Sequence, residues 1–217
     1  MQKYKEEKTE AGKDMVEEPL IRFPAIDLDP CKRYAYADYL NWTDNVRREL
    51  IDGIVYVMSA PRRIHAGITS NTLFPLIGFV KRRKEKCKVY HAPFDVRLPL
   101  DGATDDDRIY TVVQPDICVI CDPAKLDDKG CLGAPDLVVE VWSPSAGKRD
   151  LNEKFNLYEA AGVKEYWVVY PDSKALNVFL LQPDGKYDPG TVYEKCGKVP
   201  VHIFKGLEID LEEIFSD

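Results

Sequence analysis

The residue most suggestive of chemistry is Glu140, which interrupts the otherwise apolar segment Leu-Val-Val-Glu-Val-Trp at residues 137–142. The segment has the length and composition of a buried strand, where a carboxylate is costly unless it is paired or bound to a metal. Because strand side chains alternate, Glu140 shares a face with Asp136, Val138 and Trp142. A salt bridge to a buried arginine or lysine is the alternative to a functional role.

Asp116 is a second carboxylate at the start of a strand, within Gln-Pro-Asp at residues 114–116. If its strand lies beside the strand of Glu140, the two carboxylates converge at one end of the sheet. Two carboxylate oxygens completed by water are what Mg²⁺ or Mn²⁺ takes when it acts on phosphates. Asp116 and Glu140 are therefore candidate metal ligands, although an aspartate after proline also commonly closes a turn.

Lys154 is a candidate catalytic cation on a helix predicted over residues 150–161, which ends at Gly162. The helix buries a stripe of residues spaced i, i+4 and i+7: Leu151, Phe155 and Tyr158. Lys154 falls inside this arc, so it must snorkel to the surface or find a partner. Glu140 precedes the helix along the chain and is within reach as that partner.

Two further candidates, Glu49 and His65, belong to the N-terminal half of the chain. Asp-Gly at residues 52–53 predicts a tight hairpin whose register places Glu49 opposite Tyr56. His65 lies in the first turn of a long helix predicted over residues 64–84. A lone histidine more often makes a structural hydrogen bond than a site contact, so both readings of His65 stay open.

The same helix ends in a basic run, Lys-Arg-Arg-Lys-Glu-Lys at residues 81–86. Basic residues at a helix C-terminus interact favourably with the helix dipole, which is the simpler interpretation. The alternative interpretation is a patch that contacts phosphates.

Composition limits the class of protein. The 217 residues are 45% hydrophobic and 31% charged, which is typical of a globular chain, and their net charge is −7. This charge excludes a uniformly basic nucleic-acid coat protein but allows an enzyme with a local basic groove. We expect a disordered tail at residues 1–18 and a single domain over residues 19–217. The sequence has no secretory signal and no apolar run that could span a membrane, so we expect a cytoplasmic protein.

Six cysteines are spread along the chain, two of them in Cys-Val-Ile-Cys at residues 118–121. No second cysteine pair or nearby histidine completes a set of four zinc ligands. We therefore interpret the cysteines as buried, reduced thiols, with a metal or redox site as the alternative.

The order of the predicted core elements is hairpin, helix, three strands, helix and strand. The predicted strands after the hairpin cover residues 89–98, 112–121, 137–142 and 165–170, followed by C-terminal strands over residues 174–181 and 191–195. This order indicates an α/β protein with a mixed sheet rather than an alternating doubly wound fold.

The motifs taken together resemble the Uma-type restriction-endonuclease-like family, a branch of the PD-(D/E)XK nuclease superfamily. They are Glu-Leu-Ile-Asp-Gly at 49–53, the helix opened by His65, Gln-Pro-Asp at 114–116, Pro-Asp-Leu-Val-Val-Glu-Val-Trp-Ser-Pro-Ser at 135–145 and Asp-Leu-x-x-Lys at 150–154. The resemblance covers roughly residues 34–217. It implies a restriction-endonuclease-like αβββαβ core with a mixed sheet, an N-terminal β-hairpin and a C-terminal β appendage.

The resemblance also implies roles for particular residues. Asp116 matches the aspartate of the superfamily motif, and Glu140 matches the acidic residue of its (D/E)XK part. Trp142 occupies the usual lysine position, and the resemblance implies that Lys154 has taken over that role from the following helix. Glu49 and His65 match recurrent polar positions of the family.

The chemistry implied is hydrolysis of phosphodiester bonds with Mg²⁺ or Mn²⁺ as cofactor. The expected partner is nucleic acid, with DNA favoured over RNA, and a homodimer would suit an enzyme that cuts two strands. One alternative is a catalytically silent nucleic-acid-binding or accessory module on the same fold. Another is an unrelated hydrolase or small-molecule enzyme that uses the same pocket.

Overall fold

The computed structural model of the protein describes residues 26–143 and 147–216, with the backbone alone at residues 147–150. The tail predicted at residues 1–18 lies outside the described residues. Among the helices of the described chain, none has both the length and the apolar character needed to cross a membrane.

The regular elements of the described chain are numbered here in chain order. The helices are α1 (Tyr36–Tyr39), α2 (Arg63–Arg83), α3 (Gly147–Ala161) and α4 (Leu211–Ile214). The first strands are β1 (Arg48–Ile51), β2 (Ile54–Val57), β3 (Lys88–His91), β4 (Val96–Arg97), β5 (Val112–Val113), β6 (Ile117–Ile120) and β7 (Leu126–Asp127). The remaining strands are β8 (Gly130–Leu132), β9 (Leu137–Val141), β10 (Glu165–Tyr170), β11 (Ala175–Leu180), β12 (Thr191–Glu194), β13 (Lys198–Pro200) and β14 (Glu208–Asp210).

The central sheet has the strand order β12-β11-β10-β9-β6-β3. β9 and β10 are parallel and joined by the α3 crossover, while the other neighbours are antiparallel. The prediction of an α/β fold with a mixed sheet is therefore confirmed. The C-terminal strands β11 and β12 extend the β10 edge of this sheet, so the predicted appendage is continuous with the core.

A second sheet, in the order β2-β1-β5-β4-β8-β7, contains the predicted hairpin. β1 and β2 pair with Glu49 opposite Tyr56, the register expected from the Asp-Gly turn. Asp52 and Gly53 both have positive φ, 52° and 78°, as a two-residue turn that follows the twist of the strands requires. The hairpin prediction is confirmed residue by residue.

Two predicted strands are each divided between the two sheets. The segment predicted over residues 89–98 forms β3 in the central sheet and β4 in the second sheet, with Pro93 between them. The segment predicted over residues 112–121 divides in the same way into β5 and β6, with Pro115 between them. Proline has no N–H to donate to a strand ladder, so the chain changes sheet at these positions. Asp116 consequently lies at the corner between the two sheets.

The central sheet is buried on both faces. Its α2 face packs apolar residues of the helix, such as Leu76, against Val139 of β9. Its α3 face packs Leu157 and Tyr158 against Val138. Because side chains alternate along β9, Glu140 lies on the α3 face with Val138. This packing places α3, which carries Lys154, over β9, which carries Glu140.

The prediction that all cysteines are buried and reduced is wrong for four of the six. Cys87 and Cys121 form a disulfide, and Cys31 and Cys196 are exposed thiols. The bonded pair follows from the antiparallel register of β3 and β6, which cannot be read from local spacing. Cys118 and Cys131 are buried free thiols as predicted, and burial raises the pKa of both.

Candidate active site

Asp116 and Glu140 lie side by side on neighbouring strands. β6 and β9 are antiparallel, and their register pairs Ile117 with Val139. Asp116 precedes Ile117 and therefore lies beside Glu140. Its Oδ2 accepts a hydrogen bond of 2.7 Å from the backbone N–H of Val141. Both carboxylates line one cavity at this end of the sheet.

Lys154 reaches this pair from α3. Its Nζ donates to Glu140 Oε1 at 3.0 Å and lies 3.2 Å from both oxygens of Glu49. The side chain is only 8% exposed, so Lys154 does not snorkel. A buried ammonium between two carboxylates is the arrangement that makes a lysine in the apolar arc of a helix tolerable.

Glu49 is brought to the site by the hairpin. It is buried on β1, and its Oε1 also accepts a hydrogen bond of 2.8 Å from the backbone N–H of Gln114. The structure thus joins Glu49 to Lys154 and to the Gln-Pro-Asp segment. Its oxygens are directed at the ammonium, so the geometry favours a positioning role over a contact with a metal.

His65 lies at the opposite side of the carboxylate pair, in the first turn of α2. Its Nε2 is 3.1 Å from Asp116 Oδ2. Burial lowers the pKa of His65, but the hydrogen bond and charge of Asp116 and the charge of Glu140 raise it by more, so the net pKa is raised. The contact with Asp116 thus favours the protonated form of His65, which suits a group that holds Asp116 in position.

Tyr158 is a site residue that the sequence analysis placed only in the buried stripe. It is fully buried, and its hydroxyl donates a hydrogen bond of 2.7 Å to Glu140 Oε1. The available signal was the i, i+4 spacing of Lys154 and Tyr158, which puts both on one side of α3. From sequence alone, a tyrosine in an apolar stripe is assigned to core packing. Its role at the site becomes clear only when the strand beneath it is known to carry a carboxylate.

The electrostatics of the site concentrate on Glu140. Burial raises its pKa, the charge of Lys154 lowers it, and the charges of Asp116 and Glu49 raise it again. With the opposing hydrogen bond from Tyr158, the pKa of Glu140 rises from 4.5 to about 7. Burial is thus the main cause of the raised pKa, and the repulsion between neighbouring carboxylates adds to it.

Trp142 occupies the position where the superfamily motif places its lysine. Its indole ring lies 6.0 Å from the ring of Tyr170, and it lines the cavity. No ammonium group comes from this position, which directly follows β9. The cation beside Glu140 comes from Lys154 instead.

The cavity of about 630 Å³ lies between the hairpin, the start of α2, the ends of β6 and β9, and α3. Besides the carboxylates, Lys154 and His65, its wall includes Arg47, Tyr56 and Trp142. This volume is within the range of ligand-binding clefts. The basic run at residues 81–86 is at the other end of α2, about 24 Å from His65 at about 1.5 Å per residue. It is therefore not part of the cavity.

The donor set of the cavity suits a hard divalent cation. Within residues 26–143 and 147–216, Asp116 Oδ1 and Glu140 Oε2 accept no hydrogen bond, while the other oxygen of each is engaged. The same residues contain no cluster of three or more His, Cys, Asp or Glu side chains arranged for a metal. Mg²⁺ commonly takes only one or two protein carboxylates and completes its shell with water and phosphate. Two open carboxylate oxygens therefore fit Mg²⁺ or Mn²⁺ better than Zn²⁺.

The sequence also matches a known family. Residues 36–212 fit the profile described as "Uma2: Putative restriction endonuclease". The chain belongs to the Uma2 family. This confirms the family inferred from Gln-Pro-Asp, Glu140 and the following helix.

The chain is also similar to individual proteins. The chain is 27% identical over 165 residues to "Uncharacterized protein slr1290" of Synechocystis sp., covering 73% of this chain and 80% of that protein. It also superposes, with a TM-score of 0.67, on a crystal structure from Anabaena variabilis described as a putative nuclease belonging to DUF820. That match covers 83% of this chain and 97% of the other at 18% identity. It confirms the restriction-endonuclease-like fold.

Proposed function

We propose that this Uma2 protein is a divalent-metal-dependent endonuclease that hydrolyses phosphodiester bonds of nucleic acid, with DNA as its substrate. The observation that carries the proposal is the pairing of Asp116 and Glu140 on adjacent strands, with the Lys154 ammonium 3.0 Å from Glu140. Family membership supports a nuclease, and the open carboxylate oxygens support the metal.

Asp116 and Glu140 would hold Mg²⁺ or Mn²⁺ through these open oxygens. When bound, such an ion lowers the pKa of a coordinated water and stabilises charge on a phosphate. The contribution of the chain is to fix the two carboxylates. His65 and the Val141 N–H orient Asp116, and Tyr158 orients Glu140.

Lys154 supplies the positive charge beside Glu140. Beside Glu140, its ammonium is placed to stabilise negative charge that develops on the phosphate, a role for which a preorganised cation is effective. Glu49 holds it in position. In this proposal Glu49 and His65 position other groups, whereas Asp116, Glu140 and Lys154 act on the ion or the substrate.

The test is cleavage of plasmid, single-stranded DNA and RNA by identically purified wild type and Glu140→Gln, with Mg²⁺ or Mn²⁺ and with chelator. Glu140→Gln is nearly isosteric, so we expect a folded protein that has lost metal-dependent cleavage. Glu208→Gln makes the same change at an exposed position of β14 and should cleave like wild type.

Equal cleavage by wild type and Glu140→Gln would indicate a contaminating nuclease. Binding without cleavage by wild type, across metals and substrates, would favour the silent nucleic-acid-binding module. Failure to bind or cleave any nucleic acid would favour a small-molecule enzyme. Homodimer formation and a cytoplasmic location stay predictions, the first measurable by light scattering and the second by fractionation.

A further inference from the structure

Arg47 is a cavity-lining arginine that is held by a neutral amide instead of a carboxylate. Its Nε and Nη2 donate to Gln114 Oε1 at 3.1 and 3.0 Å. Several other arginines of the chain form ion pairs with aspartates: Arg33, Arg48, Arg97 and Arg108. Within the described residues Arg47 has no acidic partner, and its Nη1 makes no hydrogen bond. Its full positive charge is therefore available to a ligand.

The amide that holds Arg47 is itself fixed. Gln114 is buried, and its Nε2 donates to Asp95 Oδ1 at 2.9 Å and to the Tyr39 hydroxyl at 3.0 Å. Asp95 is fixed in turn by a hydrogen bond of 3.1 Å from the Tyr36 hydroxyl. The carboxylate takes the NH₂ end of the amide and leaves its oxygen facing Arg47. The guanidinium is thus preorganised by direct contact with a neutral amide, and the Asp95 carboxylate bonds the far end of that amide instead of Arg47.

Arg47 also has a fixed relation to the carboxylate pair. It precedes Glu49 by two residues along the hairpin, and its C=O accepts a hydrogen bond of 2.9 Å from the Met58 N–H, which extends the pairing of β1 and β2. Its side chain is therefore on the Glu49 side of the strand. Gln114, its partner, precedes Asp116 by two residues and binds Glu49 through its backbone.

The charges around the cavity indicate what Arg47 could bind. Lys154 and His65 are each engaged with site carboxylates. An anionic substrate entering between Asp116, Glu140 and Glu49 needs a cation that is not already neutralised. A guanidinium presents a planar fork of donors that matches a phosphate group.

We propose that Arg47 binds a backbone phosphate of the nucleic acid next to the scissile bond, and that Gln114 holds it ready to do so. This proposal rests on the proposed nuclease function and adds the residue that orients the substrate strand. Arg47 acts in binding and alignment of the strand, whereas Lys154 acts at the reacting phosphate.

The experiment measures the affinity of a fluorescein-labelled DNA duplex by anisotropy, over a series of salt concentrations, in the non-cleaving Glu140→Gln background. Adding Arg47→Gln should weaken binding about tenfold and reduce the slope of log K against log salt by about one. Arg108→Gln removes the same charge at an exposed site outside the cavity and should change neither value. Circular dichroism and thermal unfolding verify that each variant is folded.

Arg47→Lys keeps the charge but loses the fork, and it serves as the second variant if Arg47→Gln does not fold. We expect Arg47→Lys to keep the salt slope and to bind severalfold more weakly than the parent protein. The proposal would be overturned if the Arg47 variant that folds had the same DNA affinity and the same salt slope as Arg108→Gln. The proposed function itself would be refuted by a different result: no DNA binding by the Glu140→Gln parent together with no DNA cleavage by wild type.

Discussion

Lys154→Met is the substitution that most clearly separates a buried ionic site from a surface ion pair. Lys154 lies between Glu49 and Glu140, and the three side chains are only 8%, 4% and 13% exposed. Methionine has a similar length but leaves two carboxylates buried without their cation. Removing one partner of a buried ion pair costs about 3–5 kcal/mol. We expect a loss of this size in the free energy of unfolding near pH 8.

The measurement is urea unfolding with chelator present, at about pH 8 and about pH 5. The loss should be smaller at the lower pH, because Glu140, whose pKa is raised to about 7, is then protonated and no longer needs the missing ammonium. Lys186→Met is the matched control, since Lys186 forms an exposed ion pair with Glu159 of the same helix. Exposed pairs contribute about 0–1 kcal/mol, so the control should lose no more than that.

A further variant distinguishes uncompensated charge from lost packing. In Glu49→Gln/Lys154→Met only one of the two carboxylates that contact Lys154 remains, so the double variant should be more stable than Lys154→Met alone. Equal losses for Lys154→Met and Lys186→Met, or no recovery in the double variant, would refute the view that Lys154 compensates two buried charges.

Three other predictions follow from the described contacts. The pKa of Glu140 is about 7 instead of 4.5, so the metal-free wild type should lose about 3 kcal/mol of stability as pH rises through this window, and the pH dependence of unfolding should be weaker in Glu140→Gln. Tyr158→Phe removes the hydroxyl that orients Glu140 and should weaken Mg²⁺ affinity, measured by calorimetry, about tenfold to a hundredfold, whereas unchanged affinity would make Tyr158 a packing residue. Denatured, unreduced protein should show four titratable thiols, and reduction of Cys87–Cys121, which are 34 residues apart, should lower the unfolding free energy by about 3–4 kcal/mol; six thiols would contradict the disulfide.

Local sequence signals predicted the parts of the fold that local physics determines. Asp52 and Gly53 specify the hairpin and hence the face of Glu49. The apolar run around Glu140 and the stop at Gly162 specify a strand and the following helix. The position of Lys154 in the apolar arc left two outcomes, snorkelling or a buried partner, and the structure has the partner.

Other features depend on contacts that no local pattern encodes. The division of two predicted strands at Pro93 and Pro115 moves half of each into a second sheet, and only then is the corner position of Asp116 clear. The Cys87–Cys121 disulfide requires the register of β3 against β6. The contact between Tyr158 and Glu140 depends on where α3 crosses β9, which is set by tertiary packing.

The arrangement of Glu49 also shows how the two sheets cooperate in the site. The hairpin of the second sheet places this carboxylate on the ammonium of a helix that covers the central sheet. The Gln114 N–H, from the segment that joins the sheets, fixes the same carboxylate. A change in the relative position of the sheets would therefore move Glu49 away from Lys154.

The central claim is that Asp116 and Glu140 together hold one divalent cation beside Lys154. The most direct measurement is the anomalous difference density of a crystal soaked in Mn²⁺. Our account predicts a peak within coordination distance of oxygens from both carboxylates, about 2.0–2.3 Å away. A fully soaked crystal with no peak there, or with a peak bound to only one of the two, would contradict the account.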